Sequence, residues 1–192
     1  MKEIKVAKIE LLKSEYERNF KIKGYISDFT SAFIFEEDKE LQSIIHALKY
    51  EKKFLIGKYL GRLLAEVRSD IISEWKIDYI IPVPLHRLKL SERGYNQSYY
   101  IAKGLGRELS VPVKSIFVKR IKYTQSQTML SRIERQANLS DAFKAYGKKI
   151  KSKKILIVDD VITTGATTNE CAKVLLEAGA AKVFAASAAV AG

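Results

Sequence analysis

The sequence predicts an α/β protein in which a parallel β-sheet is flanked by helices. Three observations carry this. Short apolar runs with little polar alternation recur at residues 77–83, 154–158 and 182–188, the pattern of strands buried on both faces. Stretches with helical spacing separate them, at 94–109 and 167–178. The chain is 192 residues long, 47% apolar and 29% charged, enough for one full core.

In chain order, residues 1–20 mix Ile4, Ile9, Leu12, Tyr16 and Phe20 with many charges and fit either a helix or a strand. Residues 21–36 alternate and are rich in β-formers, which predicts strands or a hairpin. Leu41, Ile44, Ile45 and Leu48, then Leu55, Ile56, Leu60, Leu63, Leu64, Val67 and Ile71, have helical spacing and predict helices over 38–50 and 53–75. From there β and α patterns alternate. A strand over 77–83 is followed by a helix over 94–109 and a strand over 115–119. A polar stretch fills 121–142. The strand over 154–158 leads to a helix over 167–178, with Gly179 placed as its C-terminal cap, and then to the last strand, 182–188.

Lys and Arg number 34 against 22 Asp and Glu, a net charge of +12 spread along the chain. Such a surface favours anionic partners but marks no single nucleic-acid stripe. Met1 is followed by Lys2 and Glu3 with no apolar signal region, and no run approaches the ~20 apolar residues of a membrane span. The expectation is a cytoplasmic protein with no membrane span. The single cysteine, Cys171, allows no internal disulfide, and no Cys/His spacing suits zinc. Neither a Walker A loop nor Gly-x-Gly-x-x-Gly occurs.

The segment richest in chemistry is 155–167. An apolar run, Ile155 to Val158, meets two adjacent acids, Asp159 and Asp160. Val161, Ile162, Thr163, Thr164, Gly165, Ala166 and Thr167 then lead into a helix. Small hydroxylated residues and one glycine let backbone N–H groups converge on a phosphate, and a helix N-terminus adds partial positive charge there. The acids repel a phosphate but suit hydroxyl donors attached to one. A ribose 5-phosphate meets both demands, with its diol on Asp159 and Asp160 and its phosphate in the threonine loop. Paired acids also suit Mg²⁺ held through waters. A second cluster follows the 77–83 strand: Pro82-Val83-Pro84, then Leu85, His86, Arg87, Lys89 and Arg93-Gly94-Tyr95-Asn96-Gln97. Arginine forks there suit phosphate oxygens. The polar stretch 119–143 is long for a connector and has the length of a lid or binding loop.

The acid pair and its Thr-Thr-Gly-Ala-Thr loop resemble the PRPP-binding signature of type I phosphoribosyltransferases. With Leu48-Lys49-Tyr50, Pro82-Val83-Pro84, Arg93 to Gln97, Thr124 with Gln127, Arg135 with Asn138, and Ala142-Phe143, the chain is similar to the ComF competence family from about residue 33 onward. The resemblance implies the type I phosphoribosyltransferase fold, with residues 1–50 as a small N-terminal α+β hood and 51–192 as the core. It implies PRPP binding by Leu85, His86, Arg93 and Val161 through Thr167. Catalytic roles fall to Asp159, Asp160, Arg87 and the lid cations Lys119, Arg120 and Arg135, with Lys122 and Arg132 less favoured. Mg²⁺ would arrive with PRPP, near Asp159 and Asp160. The four-cysteine zinc element that begins many ComF proteins has no counterpart here. The implied partners are PRPP, single-stranded DNA or competence proteins, and a second copy in a homodimer. Two rival readings stand beside this one: a nucleobase salvage phosphoribosyltransferase, and a non-catalytic PRPP-sensing module that acts on DNA or protein. No pattern in residues 1–50 names a base.

Overall fold

Four strands form one sheet, in the order β1 (Phe29–Phe35), β6 (Lys182–Ala191), β5 (Lys154–Ile162) and β2 (Tyr79–Pro82). All neighbouring pairs are parallel. The computed structural model describes residues 4–22, 24–35, 40–123 and 141–191. The helices among them are α1 (Ile9–Tyr16), α2 (Glu40–Tyr50), α3 (Phe54–Glu74), α4 (Arg87–Arg93), α5 (Gln97–Glu108) and α6 (Ala166–Glu177).

Because β5 and β6 are apolar at successive positions, each strand feeds two cores. Ile155, Ile157, Val183 and Ala185 face α6 and the N-terminal segment. Leu156, Val158, Phe184 and Ala186 face α3 and α5. Leu60, Leu64, Ile101 and Leu105 complete that second layer and are at most 2% exposed, so each contributes roughly 1.5–3 kcal/mol of burial. α3 and α5 cross at glycines. A Cβ on Gly61 would lie 2.0 Å from the Ile101 carbonyl oxygen, and one on Gly104 would lie 2.1 Å from that of Lys58.

Several expectations are corrected. Residues 24–35 supply one strand and no hairpin, because β1 pairs in parallel with β6 at the sheet edge. The segment expected as a strand over 115–119 yields β3 (Val118–Arg120), which pairs antiparallel with β4 (Phe143–Ala145) in a separate ribbon. The edge of the main sheet beside β2 is already taken: Ile80 donates to the Pro112 carbonyl and accepts from Lys114 N–H. Residues 87–93, to which the sequence assigns no element between the 77–83 strand and the 94–109 helix, form α4, capped by His86 at its start and by Gly94, at φ 82°, at its end. The helix expected from 94 therefore begins at Gln97.

Residues 1–50 enter the fold in separate pieces. α1 continues into one π-helical turn, Glu17–Lys21. β1 joins the main sheet, and α2 packs against α3. Lys5 to Ala7 runs along the outer edge of β1, where Ala7 N–H donates to the Ala32 carbonyl and Ile34 N–H to that of Lys5. This covers an otherwise open edge.

Candidate functional site

The acid pair lies inside β5, not beyond it. β6 is long and small-residued, and it keeps pairing: Asp159 is level with Ser187, Val161 with Ala189 and Ile162 with Val190. The strand expected to end at Val158 therefore extends to Ile162. Asp159 Oδ1 accepts from the Asp160 N–H at 2.9 Å and from Ser98 Oγ at 2.8 Å. Asp160 Oδ1 accepts from the Val161 N–H, and Lys49 Nζ stands 2.9 Å from its Oδ2. Asp160 is only 4% exposed.

These contacts split the pair electrostatically. Burial, and then the Asp160 charge, push Asp159 up to about 7. Asp160 is held below the ordinary carboxylate value despite its burial, because Lys49 sits against it. Where two carboxylates crowd together, one keeps its charge and the other tends to keep its proton.

The residues around the pair hold one another in place. Asn96 caps α5 by accepting from the N–H groups of Ser98 and Tyr99, and its own amide donates to the Val83 carbonyl. That fixes Ser98 over Asp159. The Tyr95 hydroxyl donates to the Leu48 carbonyl at the end of α2, which fixes Lys49 over Asp160. Arg93 donates to Gln97 and lies over the Tyr50 ring, 5.5 Å from its centre.

After β5, Thr163 is exposed, Thr164 half-buried and Gly165 buried. Gly165 takes φ 66° and begins α6, and the first helical bond runs from Asn169 N–H to its carbonyl. The N–H groups of Ala166, Thr167 and Thr168 thus precede that bond, and helix geometry leaves them available to an anion. The loop is backed by the π-helical turn. Asn19 donates to the Thr163 carbonyl at 3.3 Å, Asn169 donates to the Asn19 carbonyl at 2.9 Å, and Phe20 fills the space where a Cβ on Gly165 would lie, 2.6 Å from the ring.

The predicted cations separate into two groups. Arg120 is half-buried beside the acids, over the Phe143 ring. Lys119, next in the strand, leaves the other face of the ribbon and lies over Tyr146. Arg87 is exposed on the first turn of α4, and Leu85 is half-buried before it. His86 is buried, accepts from the Leu88 N–H, and packs on Tyr123. Arg135, with Arg132, Thr124, Gln127 and Asn138, lies outside the described residues.

Three site residues were missed as site residues by sequence reasoning. Ser98 and Lys49 touch the acids directly; Lys49 was noted only as part of a family motif. Lys89 is half-buried, and its ammonium is held below its ordinary value by burial first and then by the charges of Arg120 and Arg93, with Lys49 adding to them. The signal for Lys89 was its place two residues after Arg87 in a cation-rich stretch. Lys49, Lys89, Arg93 and Arg120 therefore share one positive field beside the acid pair. The arrangement can hold a diol, a monophosphate at the loop and a second anion among the cations. Asp159 and Asp160 offer oxygen donors of the kind a hard cation such as Mg²⁺ takes.

The family model described as "Phosphoribosyl transferase domain" matches residues 95–191. "Competence protein F" of Haemophilus influenzae is 36% identical over 148 residues, covering 74% of this chain and 65% of that one. "DNA utilization protein YhgH" of Escherichia coli K12 is 35% identical over 149 residues, covering 74% and 64%. The chain thus spans just under two thirds of the curated relatives it matches. Among solved structures, "the allosteric regulatory enzyme of purine biosynthesis" superposes with a TM-score of 0.48 at 22% identity, over 69% of this chain and 25% of that one.

Proposed function

We propose, because this chain belongs to the phosphoribosyl transferase domain family and within it to the ComF family, that the carboxyl end of β5 binds PRPP with Mg²⁺ and transfers its ribose 5-phosphate to an acceptor. The observation that carries the reading is the split acid pair set between a loop at a helix N-terminus and a cluster of four cations.

Asp159 and Asp160 accept from the ribose 2′ and 3′ hydroxyls, and Lys49 keeps Asp160 ionised for that task. Residues 163–168 take the 5′-phosphate through backbone N–H groups and threonine hydroxyls. Lys89, Arg93 and Arg120 face the diphosphate. As the C1–oxygen bond to diphosphate breaks and the acceptor's lone pair forms the new bond to C1, negative charge gathers on the leaving group, where fixed cations are worth most. Mg²⁺ supplies further neutralisation of that charge when it arrives with PRPP. Lys119, on the far face of the ribbon, has no part in this reading.

The relatives' names, competence protein and DNA utilization protein, extend the proposal to a part in DNA uptake. Calorimetric titration tests the site. PRPP with Mg²⁺ is expected to bind, and Asp159→Ala with Asp160→Ala to abolish binding while circular dichroism is unchanged. Unaltered affinity in that double variant overturns the ribose assignment. Pyrophosphate release across a panel of nucleobases tests the transfer and identifies its acceptor.

A further inference from the structure

One contact behind the Thr163–Gly165 loop lies a buried carboxylate, Glu15, near the end of α1 and only 3% exposed. Arg18 and Asn19 follow it at three and four residues, the spacing that sets helical side chains on one face. Both reach the same oxygen. Arg18 Nη2 stands 2.7 Å from Glu15 Oε2, and Asn19 Nδ2 donates to it at 2.8 Å. The same Asn19 amide group donates to the Thr163 carbonyl at 3.3 Å. Asn19 is buried as well, and Asn169 of α6 grips its backbone carbonyl. An ion pair at the end of α1 is thus linked, through one side chain, to a peptide of the loop.

We propose that Glu15 is a positioning residue for the 5′-phosphate: by fixing Asn19 it sets which way the Thr163–Thr164 peptide faces. The inference rests on the PRPP reading of that loop. A carboxylate paired with an arginine accepts and does not donate, so Asn19 must turn its NH₂ group, not its carbonyl oxygen, toward Glu15. That group has two hydrogens, one for Glu15 and one for Thr163. The Thr163–Thr164 peptide is trans, so its N–H points opposite to its carbonyl. With the carbonyl drawn inward onto Asn19, the Thr164 N–H faces the open side, where Thr163 is exposed and Thr164 half-buried. There it joins the N–H groups of Ala166, Thr167 and Thr168 in facing an anion. Without an acceptor at residue 15, the Asn19 amide is free to turn over. Its oxygen then meets the Thr163 oxygen, and the peptide swings its carbonyl toward the phosphate.

Titration calorimetry of the full chain with two ligands tests this: ribose 5-phosphate, which needs the loop, and pyrophosphate with Mg²⁺, which needs the cations. Glu15→Met should weaken ribose 5-phosphate about tenfold or more, the loss of one hydrogen bond to a charged group, and leave pyrophosphate unchanged. Asn19→Leu should weaken it as much, and the two substitutions together no further, because both break one path. Glu15→Gln keeps an oxygen for Asn19 and should restore most of the affinity. Circular dichroism reports whether each variant is folded. If Glu15→Met does not fold, Asn19→Leu decides alone. Equal losses for both ligands, additive losses in the double variant, or unchanged ribose 5-phosphate affinity in a folded Glu15→Met or Asn19→Leu overturn the proposal. A wild type that does not bind ribose 5-phosphate sinks the PRPP reading and this inference with it. A wild type that binds it, beside a folded Glu15→Met that binds it equally well, sinks this inference alone.

Discussion

Asp159 and Asp160 are neighbours in the chain yet hold their protons differently, and the cause is a lysine more than a hundred residues away. Asp159 sits near 7 in the folded protein against an ordinary value of 3.8. The folded state therefore keeps a proton that the unfolded chain has released, and Asp159 costs progressively more stability as pH rises from 3.8 to about 7 and no more above that. Asp160 has the opposite sign, being lowered, so its contribution is present above 3.8 and is lost as pH falls below it. Asp159→Asn, which can still accept from Ser98, should raise Tm at pH 8, with the gain vanishing toward pH 4. Differential scanning calorimetry across pH reads this. If the proposed PRPP site is right, the same residue also sets the pH dependence of binding. Ionised Asp159 is acceptor-only and takes a ribose hydroxyl beside that of Ser98 more strongly than its protonated form does, so PRPP affinity should climb to about pH 7 and level off, with proton release on binding below it. Lys49→Met removes the charge that keeps Asp160 ionised. The pH at which affinity falls away should then move upward, as titration calorimetry at several pH values would show.

At the scale of elements, the Thr163–Gly165 loop is rigidified by a neighbour distant in sequence. The π-helical turn after α1 carries Asn19 and Phe20 onto the Thr163–Gly165 segment. Gly165 meets two constraints at once, a positive φ and the ring of Phe20. Gly165→Ala should cost ~1–3 kcal/mol by overpacking alone, before backbone strain is added. Urea denaturation measures the loss, and a larger fractional fall in PRPP affinity than in stability at working temperature would mark the loop itself as the damaged part. Adding Phe20→Leu should recover part of the steric cost and none of the φ strain.

Over the whole molecule, the N-terminal segment is stitched to the sheet by Arg68. Buried at 7% exposure, it donates to the Ser31 carbonyl at 2.9 Å and to the Ala7 carbonyl. Burial lowers its affinity for its proton, and only Asp70 acts against that. Arg68→Met leaves two buried carbonyls without their donor, at about 1–3 kcal/mol each. Limited proteolysis should then cut between residues 4 and 22 before it attacks the rest of the chain, and PRPP affinity should fall with it, because Asn19 and Phe20 leave the loop. Uncut N-terminal residues in that variant would show that the Lys5–Ala7 pairing with β1 holds the segment by itself.

The sequence by itself determined the parallel α/β class, the β5–loop–α6 unit and the identity of the acid pair, because each is written in contiguous residues: apolar runs, a doublet of acids and a threonine-rich turn. Tertiary structure decided the rest. That β5 runs on through its acids depends on β6 offering partners as far as Val190. That Arg120 joins the site while Lys119 leaves it depends on the face the short β3–β4 ribbon presents. Lys49, Ser98 and Lys89 gained their roles only when α2, α5 and α4 converged on one edge of the sheet. Local patterning fixes what a segment becomes, but charge, burial and proton affinity are set by which distant side chains meet there.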